Sequence, residues 1–189
     1  MILTLAWTGM RRGELLAFKW DDYKDCELHI CRALCKTTRT EKTTKTDDPR
    51  LVFVAEPLAL VLEEQRRWLI ETQHPGLASG LVFPADPKHA IVGMMRRELT
   101  EVSWCRCGSV LDKPLRKIVA EADVPRISNH SFRRTYENLL RQAGVEDLVR
   151  RSMAGWRTEE VQRIYADIDR AEREKAALAV VRLVRQAKP

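Results

Sequence analysis

The segment Asn129-His130-Ser131-Phe132-Arg133-Arg134-Thr135-Tyr136 limits what this chain can fold into more than any other stretch. Phe132, Tyr136, Leu139, Leu140 and Ala143 recur every three or four residues, the spacing of one helical face, and Gly144 supplies a stop. A cap at Ser128 or Asn129 would set His130 and Arg133 three apart on the same helix. An imidazole and a guanidinium so placed can address one anion together. The apolar stripe fixes that pair to a packed helix.

The same periodicity organises the rest. Met1 to Trp7 enters at once on an apolar pattern without a capping residue, so the first helix is expected to begin in its middle, and Thr8-Gly9 breaks it. A second helix is expected from Arg11, where Arg11 and Glu14 stand three apart; the plain reading is a surface ion pair worth ~0.3 kcal/mol, and the functional one makes Glu14 the orienter of Arg11. Alternation over Glu27 to Leu34 and the β-rich run Arg50 to Val54 predict strands, joined as a hairpin or three-stranded meander with Lys45 at its turn. Helices are expected from Pro57 through Leu60, Val61, Leu62, Trp68 and Leu69 to just before His74, over 109–122 with Pro114 in the first turn, and over Val145 to Ala154 up to Gly155. Met94 to Leu99 is a further helical candidate, and Thr158 caps another helix whose apolar face is Val161, Ile164 and Tyr165. Asp169 to Glu172 opens a final amphipathic helix with Ala176, Ala177, Val180, Val181 and Val184 on one side. The fold class is therefore α+β: one mostly helical domain with a small antiparallel sheet.

Composition narrows the partner. The chain has 189 residues, 44% of them hydrophobic, a net charge of +6 and no apolar run long enough for a membrane span, which favours a globular protein of the cytoplasm with an anionic ligand. The charge is clustered. Lys36, Arg39, Lys42 and Lys45 lie in a threonine-rich stretch with Glu41 as its sole acid, and Arg126, Arg133, Arg134 and Arg141 form a second group. Such clusters suit a phosphate track, nucleic acid first. Five cysteines spaced as Cys26, Cys31, Cys35, Cys105 and Cys107 form neither CxxC pairs nor a disulfide ladder, so no metal or other cofactor is expected.

Five motifs then occur in order: Thr8-Gly9-Met10-Arg11-Arg12-Gly13-Glu14-Leu15, Lys45-Thr46 before a strand, His130-Ser131-Phe132-Arg133, Ala154-Gly155-Trp156 and Ile164-Tyr165-Ala166. Together they strongly resemble the catalytic domain of the tyrosine recombinases, the phage integrase family, over nearly the whole chain. The resemblance implies the family's DNA breaking-rejoining fold over 1–189, truncated at the N-terminus and without the N-terminal DNA-clamp domain.

It also implies roles. Arg11 becomes the first catalytic arginine with Glu14 in support, Lys45 the hairpin lysine, His130 and Arg133 the HxxR pair, and Tyr165 the nucleophile. Trp156 stands where histidine is usual; its indole N–H can donate to a phosphate oxygen but cannot relay a proton. Lys36, Arg39, Lys42 and Arg134 are expected to bind DNA. The implied reaction is site-specific cleavage and rejoining of double-stranded DNA through a 3′-phosphotyrosyl intermediate on Tyr165, with neither ATP nor metal. The implied setting is a prokaryotic or phage-type mobile element, nucleoid-associated, acting as a homotetramer on DNA in the intact protein, with this fragment monomeric alone. A type IB topoisomerase-like enzyme and an inactive DNA-binding remnant are the competing readings. The amphipathic helix after Tyr165 favours the recombinase.

Overall fold

A computed structural model describes residues 1–35, 41–43, 49–88, 104–155 and 170–186. Lys36, Arg39, Lys45, Trp156 and Tyr165, the helix proposed at Met94 to Leu99 and the one capped by Thr158 lie outside the described residues.

Helix α1 spans Ile2–Thr8 and stops at Gly9, whose left-handed φ of 61° lets its N–H return to the Leu5 carbonyl. Arg11 then runs extended as the N-cap of α2, Arg12–Leu16. Five short strands follow among the described residues: β1 (Tyr23–Lys24), β2 (Glu27–Ile30), β3 (Arg32–Leu34), β4 (Glu41–Thr43) and β5 (Arg50–Phe53). β1, β2 and β5 form one antiparallel sheet, with Leu28 opposite Val52 and Ile30 opposite Arg50. β3 and β4 form a separate hairpin, with Ala33 opposite Lys42.

The single strand expected over Glu27 to Leu34 is therefore two, in two sheets. The break falls at Cys31, next to the buried carboxylate of Asp22, which accepts hydrogen bonds from Arg32 Nη2 (2.7 Å) and the Lys19 N–H (3.0 Å). Pulled to that acid, β3 leaves β2 and pairs with β4, so the meander resolves into a three-stranded sheet and a two-stranded arm.

Helix α3 (Glu56–Glu71) carries proline in its first turn and buries Leu58, Leu62 and Leu69. Leu60 and Trp68, from the same apolar pattern, are exposed. α4 (Asp112–Glu121) follows a short 3-10 turn at Gly108–Leu111. α5 (Asn129–Gln142) begins at Ser128, whose N–H donates to Ser131 Oγ at 3.0 Å, and buries Arg133, Tyr136 and Leu140. α6 (Asp147–Ala154) ends at Gly155 in the left-handed region, and α7 (Arg170–Gln186) buries Ala176, Ala177, Val180 and Val181. Val184 is exposed, so the buried face of α7 ends one turn earlier than its apolar pattern.

One core joins these parts. Leu5 of α1, Leu28 and Val52 of the sheet, Leu58 of α3, Tyr136 and Leu140 of α5, Met153 of α6 and Val180 of α7 belong to a single buried cluster. α5 packs on α1, α6 and α7, while α6 and α7 both pack on β5. Arg173 of α7 also reaches β2, its Nη2 2.7 Å from Glu27 Oε1. Among the described residues no helix is long and apolar enough to cross a membrane.

Gly9 tests how tightly α1 is held to α5. A Cβ on Gly9 would lie 2.5 Å from Tyr136 Cδ1 at a backbone angle that already disfavours side chains, whereas Gly80 shares the angle (φ 71°) with nothing within 4 Å. Gly9→Ala should cost about 3 kcal/mol, combining left-handed strain with overpacking, and Gly80→Ala about 1 kcal/mol. Urea denaturation of the two variants measures the difference, and equal costs would mean that Tyr136 yields freely.

Candidate active site

Glu14 lies at the centre of the charged cluster. Its side chain is 1% exposed, so of the two readings of the Arg11–Glu14 spacing the surface ion pair does not apply. Four donors meet its two oxygens. The Arg11 N–H donates to Oε2 (2.8 Å), Arg11 Nη1 to Oε1 (2.9 Å), Arg50 Nη1 to Oε1 (3.2 Å) and Arg50 Nη2 to Oε2 (2.7 Å). Burial alone would raise this carboxyl; the hydrogen bonds and charge of Arg50, then the bonds from Arg11, overcome it and hold the group at about 2.

Arg133 enters from α5 and is itself buried. Its Nη1 donates to the Gly9 carbonyl and its Nη2 to the Gly155 carbonyl, both at 3.1 Å, so one guanidinium ties the end of α1 to the end of α6. Burial, then the nearby Arg50 and Arg11 charges, pull its pKa down to about 10 against the pull of Glu14 and Glu137. It stays cationic at neutral pH. Gly155 also packs on Arg50, since a Cβ there would stand 3.0 Å from Arg50 Cδ.

Arg11, Arg133 and His130 converge on one cleft of about 370 Å³, formed by Met10 to Gly13 on one side and Ser128, Asn129, His130 and Arg133 on the other. His130 is exposed, one turn before Arg133 on α5. The expected pairing of imidazole and guanidinium therefore stands in the geometry, with Arg11 facing it. Arg134 and Lys42 are both exposed, Lys42 on the β3–β4 arm, while Arg133 belongs to the interior rather than to the surface basic group that includes Arg126 and Arg141. Among the described residues no group of three or more His, Cys, Asp or Glu side chains could hold a metal ion.

Arg50 is the residue the sequence left almost unmarked. In the sequence it only opens the β-rich run that follows Lys45. Its side chain is 4% exposed and forked onto Glu14, so it cannot meet a ligand in the cleft directly. The available signal was an arginine opening an otherwise apolar strand.

The sequence is 30% identical over 152 residues to a curated relative described as "Tyrosine recombinase XerC-like" from Caldanaerobacter subterraneus subsp. tengcongensis, an alignment covering 73% of this chain and 37% of that protein. The fold superposes on a solved structure, "Crystal structure of XerA recombinase", with a TM-score of 0.50 over 98% of this chain and 56% of that one, at 15% identity. This chain belongs to the tyrosine recombinase family. It spans little more than a third of the length of the curated relative it matches. No protein-family model matches it. The tyrosine recombinase fold is thus present here as a mostly helical α+β unit with small antiparallel sheets.

The buried carboxylate makes a pH prediction for this recombinase fold. The folded pKa of Glu14 is depressed to about 2 from an ordinary 4.5, so its stabilisation is fully present above about pH 4.5 and is lost as pH falls toward 2. A gap of that size corresponds to roughly 3 kcal/mol. In urea titrations Glu14→Gln should be less stable than the wild type at pH 7, and the two should converge by that amount between pH 4.5 and 2. A constant difference across that range would contradict a charged, paired Glu14.

Proposed function

We propose that residues 1–189 act as a catalytic domain that cleaves and rejoins double-stranded DNA, with the Tyr165 hydroxyl as nucleophile. The observation that supports this reading best is the convergence of Arg11, His130 and Arg133 on a single cleft. Guanidinium groups there can each donate paired N–H bonds to the non-bridging oxygens of a phosphodiester and stabilise the charge that builds up in its pentacoordinate transition state. A tyrosine attacks, the P–O bond to tyrosine forms, and the bond to the 5′-oxygen breaks. The products are a 3′-phosphotyrosyl ester and a free 5′-hydroxyl, and reversal by another 5′-hydroxyl rejoins the strand.

Of the three tyrosines in the chain, two are poor candidates. Tyr136 is 1% exposed beneath Gly9 and burial raises its phenol above the ordinary value; burial also raises that of Tyr23, on β1. Tyr165, in the Ile164-Tyr165-Ala166 motif, is the tyrosine assigned to attack. His130 takes its proton, Lys45 supplies one to the departing 5′-oxygen, and the Trp156 indole donates to a phosphate oxygen. Lys36, Arg39, Lys42 and Arg134 contact flanking phosphates, and the intact protein works as a tetramer on its DNA.

A nicked duplex that lets the short strand diffuse away should trap a covalent protein–DNA adduct, visible as a denaturation-resistant band. Tyr165→Phe should abolish that band. Its persistence in the variant would remove Tyr165 as nucleophile.

Lys45→Ala should slow cleavage of ordinary DNA by about 100-fold, within the usual range for a lost general acid, and a 5′-bridging phosphorothiolate should restore most of the rate, because sulfur leaves without a proton donor. Equal slowing on both substrates would make Lys45 a phosphate contact only.

A further inference from the structure

We propose that Arg50 is a positioning residue for strand cleavage: by occupying both oxygens of Glu14 it prevents Arg11 from folding onto that carboxylate and leaves the Arg11 guanidinium presented to the cleft. The proposal rests on the reading of that cleft as the phosphate site.

Glu14 has two oxygens and is shared by two arginines. Arg50 takes it with both Nη atoms, in the forked geometry that guanidinium and carboxylate prefer. Arg11 is left with one side-chain bond, from Nη1, and among the described residues its Nη2 and Nε donate to no protein atom. Its side chain is 34% exposed and lines the cleft, against 4% for Arg50. Remove the Arg50 fork and the buried carboxylate lacks two of its four donors. Arg11 is then the nearest cation able to replace them. Closing a second bond to Glu14 would draw its free edge out of the cleft.

Arg50 also meets the other side of the site. Gly155 lies against its side chain while the Gly155 carbonyl receives Arg133, so the same residue borders the settings of both cleft arginines. Three guanidinium groups, those of Arg11, Arg50 and Arg133, act around the single buried carboxylate of Glu14, with Glu137 acting on Arg133 as well. Only Arg11 and Arg133 of the three line the cleft. Arg50 supplies its positive charge from behind, where it cancels Glu14 and frees the front pair for an anion.

The test compares Arg50→Met and Arg50→Lys with the wild type in two ways. Guanidinium NMR of the arginine-labelled protein, with the Arg11 signal assigned from Arg11→Lys, should show that signal shifted and exchanging more slowly with water in Arg50→Met, as Arg11 closes on Glu14. An unchanged Arg11 signal in folded Arg50→Met overturns the proposal.

In the adduct assay, Arg50→Met should cut the rate about 100-fold, the size expected for a displaced catalytic group, with DNA affinity unchanged. The defect should largely vanish on a duplex with a neutral methylphosphonate at the cleaved position, where no anionic oxygen requires Arg11. A defect equal on both substrates means that Arg50 serves folding only, and overturns the proposal. If circular dichroism shows Arg50→Met unfolded, Arg50→Lys carries both measurements: one ammonium keeps the charge but loses the fork, so the same changes appear at smaller size, and a wild-type signal with a wild-type rate overturns the proposal. A folded wild type that forms no adduct counts against the proposed reaction, and the Arg11 resonance then decides the positioning claim by itself.

Discussion

A carboxylate buried among guanidinium groups is the interaction on which the rest of this structure depends. An unpaired charge at the depth of Glu14 would destabilise the fold by several kcal/mol, and pairing offsets that only when the hydrogen bonds are complete. On the carboxylate they are: four donors on two oxygens, from the backbone and side chain of Arg11 and the fork of Arg50, while Arg50 Nε is buried without a partner among the described residues. Arg11 stands at the start of α2, three residues from Glu14, while Arg50 comes from β5, 36 residues from Glu14 in sequence. Removing any one of them leaves the others attached to a charge without its full complement, so the cluster either forms as a unit or is lost.

Arg133 extends that unit to the far side of the cleft. Two backbone carbonyls hold it, and both belong to glycines in left-handed backbone at the ends of helices. Each glycine has a second reason for lacking a side chain, Gly9 because Tyr136 fills the space and Gly155 because Arg50 does. The positions of α1, α5 and α6 are thereby set by the same atoms that hold the charges. A site built this way has its positive groups in place before an anion arrives, which is the condition under which fixed dipoles and charges stabilise a transition state most.

Much of this was legible in the chain. The stripe Phe132, Tyr136, Leu140 located α5 and put His130 and Arg133 together, and Gly9 and Gly155 marked helix ends that the structure keeps. Glu14 was legible as the partner of Arg11. Its burial was not, because spacing three apart reads identically on a surface and in a core. Arg50 was hidden for a related reason: its partner lies far off in sequence, and an arginine beginning a strand ordinarily faces water. The break at Cys31 was invisible because alternation continues through it, and only the buried Asp22 accounts for why β3 departs. On α7, Val184 fits the apolar pattern and yet is exposed, since a helical period describes a face but not the length of the surface it packs against.

The central claim is that Arg11 and Arg133 meet one phosphate from opposite sides of the cleft while Glu14 and Arg50 hold them from behind. A crystal structure of the chain on a duplex with a non-cleavable scissile linkage tests it most directly. The account predicts non-bridging oxygens of one phosphate within about 3 Å of both guanidinium groups, with Arg50 still forked on Glu14. A DNA backbone bound elsewhere on the surface, with the cleft empty or Arg11 turned onto Glu14, would contradict it.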